Sequence, residues 1–333
     1  MPMKKFVNDP DNLVNELLAG FVLANSGKVA LAGNNLVVRA HPKPANKVAV
    51  VTLGGSGHEP ALSGYVGEGM LDISVPGEIF AAPGPPRVFE ALKLANRKAG
   101  VLLVVLNHEG DVMTANIAME MAEKEGLNVK QVLTHEDISV PSRQDPKNRR
   151  GLVGCLPVIK VAGAAAEQGK PLDECIAIAE RLERNMATLA VAVTGATHPS
   201  TGGIIAEVPE TDMIVGMGQH GEAGGGQQSL KSADETAKIM IDALCNDLGA
   251  KSGDDLLVMI NGVGSTTLME QYVVLGGVKK ALDAKGIKLA RAIAGEFLTV
   301  QEMGGFQMFA AKMDDELLAL WDAPCNTPAL VVK

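Results

Sequence analysis

Three glycine-rich segments of the chain contain the residue types that can do chemistry. They are 54–60 (GGSGHEP), 107–111 (NHEGD) and 216–226 (GMGQHGEAGGG), and each follows an apolar run of strand length. Imidazoles and carboxylates act as nucleophiles, acids or bases, and glycines let a backbone approach a ligand closely. In open α/β folds such groups collect at the carboxyl ends of strands. The three segments are therefore the candidate site.

Segment 54–60 places Ser56, His58 and Glu59 among three glycines. Glycines can expose backbone N–H donors to a ligand. The alternative is a tight turn in which His58 caps the next helix. The residue types alone leave both interpretations open.

Segment 107–111 contains His108, Glu109 and Asp111. It lacks the pair of histidines four residues apart that is typical of a helical zinc site. At a strand-to-helix junction, Asp111 could be a catalytic base. It could equally be the N-cap of a helix beginning at Val112, since Asp is a preferred cap.

Segment 216–226 matches the dinucleotide fingerprint GxGxxG over 216–221. A dinucleotide site also needs a helix that begins at once, and the EAGGGQQ that follows is a poor helix start. We therefore predict that the match is accidental. What remains is His220 between small residues, which leave room for a ligand at its ring nitrogens. The chain contains no GxxxxGK[ST] phosphate-binding loop and no GxSxG nucleophile pattern.

Composition excludes several classes of protein. The 333 residues are 47% hydrophobic and 21% charged, which is typical of a folded chain with a large core. A formal charge of −9 with dispersed basic residues argues against nucleic acid and anionic membranes as partners. The four widely spaced cysteines argue against a zinc site and a disulfide scaffold, and the N-terminus has no signal-peptide pattern. We expect a cytoplasmic protein.

Strand-sized apolar runs alternate with helix-period stretches, and this alternation predicts the elements that position the three segments. It indicates an α/β fold with two α/β domains, largely parallel or mixed sheets and helices on both faces. We place the domains at 1–185 and 186–333, and a surface loop at 141–150. The predicted strands are 47–53, 101–106, 129–133, 189–193, 213–217, 256–260 and 290–294. The predicted helices are 112–124, 155–168, 172–185, 232–248, 267–285 and 314–320.

These segments, in this order, resemble the dihydroxyacetone-binding K subunit of bacterial dihydroxyacetone kinases. The resemblance rests on five stretches that span nearly the whole chain. They are GGSGHEPALSGYVGEGMLDISVPGEIF from 54, NHEGDVMTAN from 107, VGMGQHGEAG from 215, INGVGSTTLMEQY from 260 and LWDAPCNTPAL from 320. The resemblance implies a two-domain α/β subunit that forms a homodimer.

The same resemblance implies covalent capture of a short ketose. The histidine that adds to the ketone carbonyl and forms a hemiaminal corresponds to His220. His58 and Asp111 would flank the hydroxyl that receives the phosphoryl group, with Asp111 as the base. This chain would hold no cofactor or metal, and a separate L subunit would carry ADP and Mg²⁺, recharged by a phosphotransferase-system donor. The implied substrate-binding residues are Gly55, Ser56, Gly57, His58, Asp111 and His220.

Two positions depart from the family pattern. The family commonly has Lys-Asn-Tyr where this chain has LNH at 106–108, and Ser where it has Ala82. Both changes remove polar groups near the substrate. One alternative is therefore a different short ketose, such as erythrulose or a branched tetrulose. A separate alternative is a non-catalytic ketose-binding regulator that is related to the family. The retained His58 and Asp111 favour the enzyme, because a signalling protein needs capture but no base.

Overall fold

The structure is a computed structural model that describes residues 5–139, 143, 146–222 and 224–333. Residues 141, 142, 144 and 145 of the predicted surface loop lie outside this range. The α-helices are α1 Leu13–Ala24, α2 Pro85–Ala95, α3 Glu109–Lys124, α4 Cys155–Glu167, α5 Leu172–Arg184, α6 Ala233–Leu248, α7 Leu268–Asp283 and α8 Asp315–Asp322. Short 3₁₀ helices form at Pro10–Asn12, Ser63–Tyr65 and Pro146–Asn148.

The first sheet has six strands in the order β1-β2-β4-β3-β5-β6. They are β1 Val29–Ala32, β2 Leu36–Arg39, β3 Ala49–Ser56, β4 Ile73–Ile79, β5 Val101–Leu106 and β6 Val129–Thr134. Strands β4, β3, β5 and β6 are parallel, whereas β1 and β2 pair antiparallel. Every residue of β5 is buried because α2 and α3 cover one face of the sheet and α4 and α5 cover the other.

The second sheet has the order β11-β10-β7-β14-β12-β13 and is antiparallel except for the pair β12–β13. Helices α6 and α7 pack on its outer face. The remaining strands are β7 Met186–Ala192, β8 Ala196–Thr197, β9 Ile204–Ile205, β10 Asp212–Val215, β11 Gly226–Ser229, β12 Asp255–Gly262, β13 Lys288–Gly295, β14 Gly305–Lys312, β15 Cys325–Asn326 and β16 Val331–Val332.

Helix α4 joins the two halves of the chain. Its residues from Cys155 to Ala166 are all buried, and it packs on β3 and β5 on one side and on α8 on the other. The Lys160 ammonium donates hydrogen bonds to two carbonyls at the end of α8, Leu320 O and Ala323 O, at 2.9 and 2.7 Å. The largest hydrophobic core accordingly contains residues from both halves.

The predicted α/β class with mixed sheets is confirmed, and each predicted strand and helix has a counterpart. The division at 185 falls between α5 and β7, and it stays a prediction for the domains because the core extends across it. Helix α3 begins at Glu109 rather than at Val112, so Asp111 lies inside its first turn. Helices α1 and α2 and strands β1, β2, β4 and β14 were not predicted. Within the described ranges, none of the helices is apolar over a length that would span a bilayer.

Candidate functional site

The candidate site is a cavity of about 400 Å³ between the two sheets. Five loops reach it, which follow β3, β4, β5, β10 and β13. Of the six predicted site residues, Gly55, His58, Asp111 and His220 line this cavity together. The three glycine-rich segments, far apart in sequence, therefore meet in space as their placement after strands predicts.

His58 is held as a neutral ring with a defined tautomer. Its Nδ1 lies 2.7 Å from the carbonyl oxygen of Thr299, which can only accept, so Nδ1 carries the proton. Burial, followed by the charge of His220, lowers the pKa of His58 to about 3. The Nε2 atom is therefore unprotonated, and it lies 3.2 Å from Nε2 of His220.

His220 is oriented by Glu222. The ring Nδ1 of His220 lies 3.2 Å from Glu222 Oε1, and the backbone N–H of His220 donates to Glu222 Oε2 at 2.9 Å. Burial acts to raise the pKa of Glu222, but its hydrogen bonds and charge interaction with His220 outweigh burial and lower it to about 2. Since His58 Nε2 lacks a proton, the contact between the two Nε2 atoms is a hydrogen bond that His220 donates. The His220 ring thus lies between the unprotonated Nε2 of His58 and the carboxylate of Glu222.

His108 is the third imidazole in the cavity, with its ring centroid 5.2 Å from that of His220. Its Nε2 lies 2.8 Å from the carbonyl oxygen of Gly151, which fixes the proton on Nε2. Burial and then the charge of His220 lower the pKa of His108 to about 4, so the ring is neutral. The amide nitrogen Nε2 of Gln219 lies 2.9 Å from the same ring nitrogen, and turning the amide over would place its oxygen there to accept from that N–H. Whichever way the amide is turned, one of its polar atoms has no partner among the residues described.

Asp111 is a buried carboxylic acid that faces the cavity. Its side chain lies inside the first turn of α3, and the N-cap position is occupied by His108, so the capping role is excluded. Asp111 is 8% exposed, and within the described part of the chain its Oδ1 has no hydrogen-bond partner. Burial raises the pKa of Asp111 to about 7, although the charge of His220 opposes this. The acid is therefore close to half ionised at neutral pH and free to bind a ligand hydroxyl.

The glycines of segment 54–60 allow close packing against the turn at Phe80. A Cβ on Gly55 would lie 2.7 Å from the backbone nitrogen of Ala81, and a Cβ on Gly57, whose φ is +99°, would lie 2.9 Å from the Phe80 ring. Phe80 in turn packs on His58, with ring centroids 4.8 Å apart. These glycines thus set the position of the aromatic wall of the cavity.

Ser56 and Gly57 do not line the cavity that holds the histidines. The Ser56 hydroxyl donates to Gly77 O at 2.7 Å, and the Gly57 N–H donates to Glu59 Oε1 at 3.0 Å. Substrate contact by Ser56 and Gly57 stays a prediction. His58 does not cap a helix, because both of its ring nitrogens are used within the site.

Sequence reasoning did not assign Thr299, Gln219 or Glu222 to the site. Glu222 follows His220 by two residues and could have been found from that spacing. Thr299 contributes a backbone carbonyl from a loop that is 241 positions away from His58. Since any residue type offers such a carbonyl, no local signal marks it.

Comparisons with known proteins show the family of this chain. The family model described as the Dak1 domain matches residues 19–329. This chain belongs to the Dak1 domain family. The match covers both sheets and all five loops of the cavity, and it confirms the resemblance that the sequence motifs carry.

The relatives of this Dak1 chain are named as two kinds of kinase and as an operon co-activator. It is 35% identical over 314 residues to the "PTS-dependent dihydroxyacetone kinase 1, dihydroxyacetone-binding subunit DhaK" of Listeria innocua, which covers 94% of this chain and 95% of that one. It is 36% identical to the "D-erythrulose kinase" of Mycolicibacterium smegmatis over 98% of this chain but 56% of that protein. The solved structure of the "Dihydroxyacetone kinase operon co-activator Dha-DhaQ" superposes with a TM-score of 0.89 at 28% identity, over 95% of this chain and 98% of that one.

Proposed function

We propose that this chain is the ketose-binding subunit of a multi-subunit dihydroxyacetone kinase. In this function His220 captures the ketone covalently, and Asp111 accepts a proton from the hydroxyl that is phosphorylated. The observation that carries the proposal is one cavity that brings together an oriented imidazole and a buried carboxylic acid, whose pKa is raised to about 7. The name of the Listeria innocua relative supports the same substrate.

In the capture step that we propose, Nε2 of His220 is the reacting atom, and it begins with the proton that it donates to His58. The proton on Nε2 passes to the carbonyl oxygen of the ketose, and the freed Nε2 lone pair forms a bond to the carbonyl carbon. The π pair of the carbonyl becomes the O–H bond of the hemiaminal. The ring keeps its proton on Nδ1 and its pairing with Glu222, so the charge of the site does not change. A polyol without a carbonyl cannot react in this way, which gives selectivity.

The transfer step uses Asp111 as a general base. Its carboxylate takes the proton as the substrate oxygen attacks phosphorus, and a pKa near the working pH suits this role. The phosphoryl group would come from a separate L-type subunit with ADP and Mg²⁺, recharged by the phosphotransferase system. The sequence supports a separate nucleotide carrier because it lacks the GxxxxGK[ST] motif. The homodimer and the cytoplasmic location remain expectations from the resemblance and the composition.

A four-carbon ketose such as erythrulose is a second candidate substrate. The residues that depart from the family pattern, Leu106, His108 and Ala82, all line the cavity. His108 and the unpartnered amide atom of Gln219 offer hydrogen-bonding groups to a hydroxyl that a triose lacks. The name of the Mycolicibacterium smegmatis relative supports this candidate.

Native mass spectrometry of the full chain with each ketose tests the capture step. We expect one adduct per chain in the unmodified protein, none in His220→Ala, and an unchanged adduct in His41→Ala, a control at an exposed histidine. An adduct that persists in His220→Ala would contradict the assignment. Phosphorylation of the bound ketose is then assayed with an L-type subunit, for dihydroxyacetone and erythrulose in parallel. Capture without phosphorylation of either ketose would favour a ketose-binding regulator.

A further inference from the structure

We propose that Arg150 is a positioning residue for ketose capture, which holds the loop of His220 against the first sheet. This loop is residues 216–222, after β10. Arg150 ends the stretch 141–150 that the sequence predicts as a surface loop, yet its side chain is only 13% exposed. It is not among the residues that line the cavity, so it acts through the loop. Its effect on the ketose rests on the proposed function, whereas its effect on the loop does not.

One guanidinium joins two segments from different halves of the chain. Nε of Arg150 donates to Asp137 Oδ2 at 2.7 Å, and Nη2 donates to Ser139 Oγ at 2.8 Å. The same Nη2 donates to the carbonyl oxygen of Gly216 at 2.9 Å. Asp137 and Ser139 follow β6 of the first sheet, whereas Gly216 begins the loop that carries His220. Arg150 is therefore a bridge between the first sheet and this loop.

The hydrogen bonds inside the loop shape it without attaching it to the first sheet. The N–H of Gly218 donates to Glu222 O at 3.0 Å, and the N–H of Gly221 donates to Gly218 O at 3.1 Å. These bonds close a turn around His220. The loop therefore needs contacts outside itself to fix where the ring lies relative to the first half of the cavity.

Arg150 supplies a contact that persists when a ketose binds. The ring of His220 is also bonded to His58, but the reaction uses the Nε2 atom that makes this bond. A bond through the reacting atom cannot hold the loop in place during capture. The bond from Arg150 to Gly216 O joins the loop at its backbone, away from the reacting atom, and it remains.

Two glycines let the loop lie directly on this arginine. A Cβ on Gly218 would lie 2.3 Å from Nη1 of Arg150, and a Cβ on Gly216 would lie 2.4 Å from the Cβ of Ser139. Both distances are too short for any side chain at these two positions. The GxGxxG match at 216–221 thus has a structural reason other than a dinucleotide, since two of its glycines are required where the loop meets Arg150 and Ser139.

The backbone beside the guanidinium is fixed as well. The carbonyl oxygen of Arg150 accepts from the N–H of Asp137 at 3.1 Å, and that of Gly151 accepts from His108 Nε2 at 2.8 Å. Nη1 of Arg150 lies 3.9 Å from Glu222 Oε2, so a second, weaker contact reaches the far end of the loop. Residues 150 and 151 thus hold one wall of the cavity through a carbonyl and another through a guanidinium.

Replacing Arg150 by Lys separates this role from the charge. Lysine keeps a positive charge beside Asp137, but an ammonium cannot reproduce the planar fork that reaches three acceptors. We expect the amides of 216–222 to exchange with deuterium about 10-fold faster, because a hydrogen bond from a charged donor is lost. The ketose adduct should weaken by about 10–100-fold in native mass spectrometry. With an L-type subunit, KM should rise and kcat should stay the same, because Asp111 lies on α3 rather than on the loop.

Arg149→Lys is the matched control. Arg149 is the neighbouring residue and its side chain is only 4% exposed, but it pairs with Asp247 of α6 at 2.6 Å and not with the loop. Its replacement should leave both the exchange of 216–222 and the adduct unchanged. If Arg150→Lys does not fold by circular dichroism, the double variant Arg150→Met with Asp137→Asn removes both charges together and gives the same readout.

Three results would overturn the proposal. The first is a folded variant at Arg150 in which residues 216–222 exchange as slowly as in the unmodified chain. The second is faster exchange with an unchanged adduct, and the third is an equal effect of Arg149→Lys. An unmodified chain that forms no adduct would instead refute the capture step, and the exchange of 216–222 would still decide whether Arg150 holds the loop.

Discussion

Replacing Asp111 by Asn should stabilise the protein while it abolishes phosphoryl transfer. Burial raises the pKa of Asp111 from 3.8 to about 7, so ionising this acid opposes folding. At about 1.36 kcal/mol for each pH unit, the difference corresponds to ~4 kcal/mol. The folded protein binds this proton more tightly than the unfolded chain, so stability falls as the pH rises from 3.8 to 7. The full penalty is present above pH 7, and at pH 4.5 it is only about 1 kcal/mol.

The assay is urea unfolding of the ketose-free chain at pH 8 and at pH 4.5, followed by circular dichroism. Asp111→Asn should be more stable than the unmodified chain by a margin that is about 3 kcal/mol larger at pH 8 than at pH 4.5. The cost of burying an unpartnered amide is the same at both pH values and cancels in this comparison. Glu120→Gln, an exposed acid on the same helix, is the control and should change stability by less than about 0.5 kcal/mol at either pH. A stability difference between Asp111→Asn and the unmodified chain that is the same at pH 8 as at pH 4.5 would refute the reasoning and return Asp111 to a structural role.

Three further outcomes follow from the same geometry. Glu222→Gln should weaken the ketose adduct by about 10–100-fold in native mass spectrometry, because a hydrogen bond to a charged partner contributes about 1.5–3 kcal/mol; an unchanged adduct would exclude Glu222 from orienting the ring. With an L-type subunit, kcat/KM should rise as the pH passes through about 7, since Asp111 must be ionised to accept a proton, and a profile that falls across this range would contradict the base. Gly55→Ala should cost about 1–3 kcal/mol in thermal unfolding because its Cβ would meet Ala81 N, whereas Gly20→Ala, with open space around it, should stabilise α1 by up to about 1 kcal/mol. Equal effects of the two alanines would show that close packing does not explain the glycine at 55.

The parts of the fold that were predictable are those with strong local patterns. The bounds of β5 were predicted to the residue. Its six residues are all Val or Leu, a run of strand length, and polar or glycine residues mark both of its ends. Strand β14 was missed although nearly all of it is buried. Its sequence, GFQMFAAK, contains Gly, Gln and two Ala, which have weak strand preference. Its central place in the sheet comes from pairing with β7 and β12, which is a property of the tertiary structure.

The residues of the site can be separated in the same way, into those with a local sequence pattern and those without one. Side chains in dense motifs, His58, Asp111 and His220, were predicted to lie near each other, and they line one cavity. The groups that fix their proton positions were not predictable, because Thr299 and Gly151 act through backbone carbonyls. The helix start was also misplaced by three residues, which made Asp111 look like a cap. Only the observed start of α3 at Glu109 removes that interpretation.

Helix α4 also determines whether two fragments of the chain could fold separately. It lies before residue 185, yet its buried surface packs on α8, which lies after it. A cut at 185 would expose Leu317, Leu320 and Trp321 on one fragment, and burying each such side chain contributes about 1.5–3 kcal/mol. Neither fragment alone should fold to a soluble monomer. The two fragments should instead associate when they are co-expressed and rebuild the cavity between them, so a split at this point would act as a fragment-complementation reporter that also senses ligands of the site.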